Sequence, residues 1–172
     1  MKITTSKTSP TTITTSTSKY DWCYLDNYDV AVQQRLNSSK EIILVDEIDN
    51  KTYKQAKSVC ENICGRLYLP STLKENDEVE SVLNSCVVNR RCGYDIGNVW
   101  LRMTYNETVG IWYDPDNKED LTFLNFHSSD VIRECSGNLE HHAVMNYIND
   151  GKWWSRTSTH LQYTSYVLCE LT

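Results

Sequence analysis

At 172 residues the chain has room for one domain and a tail. Its formal net charge of -6 and pI near 5.2, with 17 Lys and Arg that are scattered rather than clustered, exclude the basic stripe that nucleic-acid binding requires. No apolar run approaches the roughly 18 residues of a membrane-spanning helix, and Met1-Lys2-Ile3 leads into Thr and Ser rather than the apolar centre of a signal peptide.

Residues 1–19 form a Ser/Thr-rich tract too polar to offset the entropy of ordering it. It reads as a glycosylated stalk or as a disordered leader without a role. Globular patterning begins at Tyr20, so residues 20–172 are the expected domain. Trp22 to Leu36 is too irregular to assign. Ile42 to Val45 is a buried strand. Thr52, with Gln55 three residues on, caps a helix whose apolar side is Tyr53, Ala56, Val59, Cys60 and Ile63, and Gly65 is expected to stop it. Leu67 and Leu69 alternate as a short strand. Thr72 and Glu75 form a second capping box, with Glu75, Asp77 and Glu78 in the first turn and Val79, Val82, Leu83 and Cys86 on the buried side. Val99 to Leu101 and Ile111 to Tyr113 are strands about a turn at Tyr105-Asn106. Asp114-Pro115-Asp116-Asn117 is a turn, and residues 117–142 are a long irregular loop. Ala143 to Tyr147 and Lys152 to Trp154 flank an Asn149-Asp150-Gly151 hairpin turn, and Tyr166 to Cys169 is the last strand. This order predicts an α+β domain.

Seven cysteines, Cys23, Cys60, Cys64, Cys86, Cys92, Cys135 and Cys169, fall in no CxxC pair. This tells against a zinc ribbon or thioredoxin-type site and points to an oxidising compartment. Sequons at Asn37, Asn50 and Asn106 agree. The expected location is extracellular: a secreted protein or an ectodomain whose anchor or signal lies outside this sequence. A cytosolic chain with free thiols is the alternative.

From Thr52 to Glu170 the residues resemble the C-type lectin-like domain. The resemblance rests on Thr52-Tyr53-Lys54-Gln55-Ala56 with Cys60, Gly65 to Pro70, Val99-Trp100-Leu101, Gly110-Ile111-Trp112, Leu124-Asn125-Phe126, Ala143-Val144-Met145, Gly151-Lys152-Trp153 and Leu168-Cys169-Glu170. Each is weak alone; their order and spacing are specific. The resemblance implies two helices, two small antiparallel sheets and a long loop region, with no catalysis. It also implies an outer disulfide between Cys60 and Cys169. Cys86–Cys92 and Cys23–Cys64 are further candidate pairs. Cys135 is then left for an interchain bridge, and hence a disulfide-linked dimer, or for a free thiol.

The chain departs from the sugar-binding members. Their proline-centred calcium triplet is replaced by His127-Ser128-Ser129-Asp130-Val131. Their Trp-Asn-Asp strand triplet is replaced by Trp153-Trp154-Ser155. Calcium takes six to eight oxygen ligands, so no metal or other cofactor is expected, with Asp130, Glu134 and Glu140 as an unorthodox calcium alternative. The inner disulfide is missing: His142 and Ser158 stand where its cysteines would be. His127, His141, His142 and His160 are expected as exposed loop residues rather than a zinc site, which needs three or four converging ligands. No GxSxG or HExxH motif is present, and a Cys135–His142 nucleophile pair rests on spacing alone.

The expected function is calcium-independent recognition of a protein at a cell surface. The candidate contacts are Tyr113, His127, Asp130, Arg133, His142, Trp154, Arg156 and His160. A glycan-binding lectin with altered or no metal dependence is the second reading, and a structural or matrix module the third.

Overall fold

A computed structural model describes residues 27–46, 49–89, 92, 97–130, 140–146, 150–159 and 166–172. Among them are two helices and eight strands: β1 (Asp29–Arg35), β2 (Glu41–Asp46), α1 (Tyr53–Asn62), β3 (Gly65–Leu67), α2 (Leu73–Val88), β4 (Asn98–Asn106), β5 (Ile111–Tyr113), β6 (His141–Asn146), β7 (Lys152–Thr157) and β8 (Tyr166–Leu171). They form two four-stranded sheets, ordered β1-β2-β8-β3 and β5-β4-β6-β7, with every pairing antiparallel.

The continuous apolar run Ile42 to Val45 has a simple cause. Side chains alternate across a strand, and here both faces are covered. Ile42 and Leu44 join Leu168, Val79, Leu83 and Trp153 in one core. Ile43 and Val45 join Val167, Tyr53, Ala56 and Ile63 in the other. Both faces of the first sheet are therefore covered, by α1 in one core and α2 in the other, and the second sheet contributes side chains to both. The unassigned segment before Leu36 contains β1, an edge strand paired to β2 with a register irregularity between Val30 and Val32. That irregularity breaks the alternation a sequence reading looks for.

The reciprocal capping box at Thr52 and Gln55 is present. Three local expectations are corrected. At α2 Thr72 accepts the Glu75 N–H, but the Glu75 carboxylate turns to the Ser71 N–H (2.7 Å) and to Lys40 Nζ (2.9 Å) instead of closing the box. After α1 the left-handed residue is Cys64 (φ 58°), not Gly65. Gly65 serves a close approach instead: a Cβ there would lie 2.8 Å from the Glu170 carbonyl oxygen on β8. The expected turn at Tyr105-Asn106 falls at residues 107–110 instead, because β4 continues to Asn106.

Cys60 and Cys169 are joined, tying α1 to β8, and Cys86 and Cys92 are joined at the end of α2. Cys64 is also disulfide-bonded, to a partner outside the described residues, where Cys23 and Cys135 both lie.

A buried charge cluster fastens the sheets. Arg102 on β4 is 6 % exposed. Its Nε donates to both Asp114 oxygens at 3.1 Å, and its Nη1 donates to the Leu67 carbonyl and lies 3.5 Å from Glu170. Arg66 holds the other Glu170 oxygen at 3.1 Å. The Asp114 turn thus exists to place a counter-ion.

Candidate functional site

The site is assembled along β7, an edge strand of the second sheet. Its foundation is the end of the β6–β7 connection, where Asp150 (φ 52°) and Gly151 (φ 61°) both adopt the left-handed conformation; β6 and β7 pair from Asn146 and Lys152, so the connection is longer than the tight turn expected. The Gly151 carbonyl accepts from Asn76 Nδ2 on α2 and from Asn125 Nδ2, each at 3.3 Å. Asn76 Oδ1 accepts the indole N–H of fully buried Trp153 (2.8 Å), and Lys152 Nζ donates to Asn125 Oδ1 (2.7 Å). A Cβ at Gly151 would stand 2.9 Å from Asn76 Nδ2, so glycine is needed for contact as well as for its dihedral angle.

From Asn125 the chain runs beside β7. The Trp153 N–H donates to the Asn125 carbonyl, and the His127 N–H donates to the Trp153 carbonyl. Two residues further along β7, side chains replace the backbone. Asp130 Oδ2 accepts the Ser155 N–H at 2.6 Å, and Arg156 Nη1 donates to the Ser155 carbonyl at 2.7 Å. An edge strand left open is a template for pairing; here a carboxylate and a guanidinium close it.

Trp154 stands at the centre of this arrangement. The His127 ring stacks on it (centroids 4.6 Å, planes 13° apart), and the Arg156 guanidinium lies 5.4 Å from its centroid. The indole N–H is buried and finds no acceptor among the described residues. His127 Nδ1 accepts the Ser129 N–H and lies 2.8 Å from Ser129 Oγ, which places the proton of the neutral ring on Nε2. Burial raises the Asp130 pKa, opposed by the Ser155 N–H, Arg156, His127 and His141. Burial lowers that of Arg156, opposed by Asp130.

His127, Asp130, Trp154 and Arg156 are therefore brought together. Tyr113 is not: it lies on β5, the opposite edge of the sheet, with Lys118 over its ring at 5.3 Å. His142 is not a surface residue either. It is 1 % exposed and stacked on Tyr53, and His141 is 5 % exposed with Nδ1 3.3 Å from Ser155 Oγ. Both were expected in the exposed loop; β6 begins at His141 and carries them inside. Arg133, Glu134, Cys135 and His160 lie outside the described residues. The Asn37 and Asn50 side chains are exposed, and Asn106 is half-buried, accepting the Thr108 and Val109 N–H groups.

The calcium site implied by the sugar-binding relatives does not fit these residues. The Asp130 carboxylate is committed to the Ser155 N–H, and Ser155 and Trp154 offer neither an amide nor a carboxylate side chain. Arg156 sets a fixed positive charge beside Asp130. Glu140 instead faces His142, at 3.6 Å. Among the described residues no three His, Cys, Asp or Glu side chains are placed to hold a metal ion.

Sequence alone missed the parts that set this geometry. Asn76 looks like an ordinary polar position, and Asn125 stands in a landmark of the resemblance without any sign of what it bonds; in the charge cluster, Arg102 looks like one more surface cation. The one available signal was a charged or amide residue inside an otherwise buried stretch, as with Arg102 between Leu101 and Met103.

No protein-family model matches the chain, and no curated protein matches it. Solved structures do. The mouse scavenger receptor C-type lectin carbohydrate-recognition domain matches with a TM-score of 0.58 at 14% identity, over 80% of this chain and 93% of that one. The C-type lectin CEL-I from Cucumaria echinata matches with 0.57 at 11%, over 84% and 95%. The Ca2+-independent C-type lectin SPL-2 from Saxidomus purpuratus matches with 0.55 at 14%, over 76% and 86%. With two helices and two four-stranded antiparallel sheets among its described residues, and these likenesses over most of its length, the chain has the C-type lectin-like fold.

Proposed function

We propose that this domain is a non-catalytic extracellular recognition module. It binds a protein at a cell surface, without calcium, through the face made by His127, Asp130, Trp154 and Arg156. Arg133 and His160 belong to adjoining segments and are further candidates. The observation that carries the reading is the closure of Ser155 by Asp130 and Arg156: groups that calcium would need are spent on the protein's own edge. What remains at the surface is an aromatic–cation cluster, a composition typical of residues that dominate protein interfaces. The disulfides and sequons support an extracellular location. The odd cysteine count supports a disulfide-linked dimer, which non-reducing electrophoresis reads directly.

The test is binding of the fluorescent domain to a panel of cell lines, in calcium and in chelator. Equal staining in both, reduced at least tenfold by Arg156→Glu, supports the reading. Staining unaffected by Arg156→Glu moves the interface elsewhere. A second reading, glycan binding without metal, is favoured by the likeness to a lectin described as calcium-independent. It predicts glycan-array binding that survives chelator.

A further inference from the structure

His142 is a titratable group enclosed where four parts of the fold meet. Its ring lies 3.4 Å from that of Tyr53 on α1, planes 6° apart. Its Nδ1 is 3.3 Å from the Met103 carbonyl and 3.0 Å from Thr104 Oγ1, both on β4. A carbonyl accepts only, so Nδ1 carries the proton and Nε2 presents a bare lone pair. Nε2 is buried, makes no hydrogen bond, and faces Glu140 Oε2 at 3.6 Å.

The charges around it come from each neighbouring element. Glu140 and His141 precede it, His141 on its own strand and Glu140 just before that strand begins. Lys57 acts on it from α1, and Arg156 is its cross-strand partner on β7. Asp114 and Asp116 act on Tyr53, the ring stacked against it. β4 faces it with a carbonyl and a hydroxyl. Burial holds its pKa down to about 4, against the pull of the Met103 carbonyl, and His141 and Lys57 push the same way as burial.

Two backbone hydrogen bonds next to this ring hold the ends of the loop region. The Tyr53 N–H donates to the Ser158 carbonyl (3.3 Å), and the Ser158 N–H donates to the Glu140 carbonyl (3.0 Å). Residues 131–139 join Asp130 to Glu140, and residues 160–165 follow Thr159.

We infer that His142 is a proton-operated catch: neutral, it lets the start of α1, the end of β7 and the start of β6 close on one another; protonated, it favours the opened arrangement of these three ends, in which Nε2 reaches water. The cores behind it, and the Cys60–Cys169 bridge, are not opened. Because the end of β7 carries Arg156, acid would loosen that part of the proposed ligand face. This last step rests on the functional reading above; the catch itself does not.

Hydrogen exchange of backbone amides between pH 7 and 4.5, corrected for intrinsic rates, tests it without a ligand. In the open state His142 titrates near its ordinary value of about 6.5, so the opening constant should rise about tenfold per pH unit from about pH 6 downward. This is expected for the Tyr53 and Ser158 amides, while the Tyr68 amide, bonded to the Leu168 carbonyl, stays closed. His142→Gln should abolish the rise at Tyr53 and Ser158. If that variant does not fold, the imidazole NMR signals of His142 in the unaltered chain keep the test open: they should titrate well below the ordinary value of about 6.5. The inference is overturned if His142→Gln keeps the same pH profile, if His142 titrates at its ordinary value, or if Tyr68 opens in step with Tyr53 and Ser158.

Discussion

Asp130 and Ser155 are 25 residues apart, and the carboxylate of the first closes the strand edge of the second, Oδ2 accepting the Ser155 N–H at 2.6 Å. A hydrogen bond from a backbone amide to a charged acceptor contributes about 1.5–3 kcal/mol, and here the lower half of that range applies because the carboxylate is partly solvated. Asp130→Ala should lose about that much in urea denaturation and should self-associate, since the edge is then open. Asp130→Asn keeps an acceptor oxygen and should lose less. Equal losses in the two variants would show that the bond to Ser155 is not what Asp130 provides.

Arg102 is held by Asp114, Glu170 and the Leu67 carbonyl, all buried. Removing one member of such a set leaves uncompensated charge, at about 3–5 kcal/mol. Arg102→Ala should therefore lower the melting temperature more than any exposed-charge variant. Arg102→Lys should recover little, because an ammonium cannot replace the forked donation of the guanidinium to Asp114 and Leu67. Full recovery in Arg102→Lys, read by thermal melting, would reduce the cluster to a point charge.

The Cys60–Cys169 bridge spans a separation of 109 residues. Closing so long a loop removes about 4–5 kcal/mol of entropy from the unfolded chain, a large share of a typical domain's net stability. Cys60→Ser should fail to secrete or refold; a variant of normal thermal stability would contradict the assignment.

Burial raises the Glu75 pKa, but the Lys40 hydrogen bond, the Ser71 N–H and the Ser38 hydroxyl outweigh it and bring it to about 2. A folded pKa below the unfolded one means that the unfolded chain binds more protons between the two values. The resulting stability, on the order of 3 kcal/mol, is fully present above about pH 4.5 and is lost as pH falls toward 2. Unfolding free energies from pH 6 to 2.5 should show this slope, and Glu75→Gln should flatten it. An identical slope in that variant would assign the acid sensitivity to other groups.

The fold was legible because its signals are local or cumulative. The box at Thr52 and Gln55, the run Ile42 to Val45 and the landmarks from Gly65 to Glu170 each reflect a short-range constraint. The site was legible only in part. Trp154 and Asp130 stand where the sugar-binding relatives carry metal ligands, and Asp130 reaches β7 beside Trp154, at Ser155. His142 was misplaced because a histidine next to a histidine at the end of a polar stretch carries no sign of burial; only the strand pairing with Thr104 and the Tyr53 ring enclose it. Asn125 and Gly151 fall in landmarks of the resemblance, but nothing in the sequence links either to Asn76, which shares the Gly151 carbonyl with Asn125 from a distant stretch.

Asp130, Ser155 and Arg156 satisfy one another, so on the proposed reading this face needs no calcium. Thermal unfolding in millimolar calcium and in chelator tests it most directly. The melting temperature should be the same in both. A saturable rise with calcium, reversed by chelator and absent in Asp130→Asn, would contradict it.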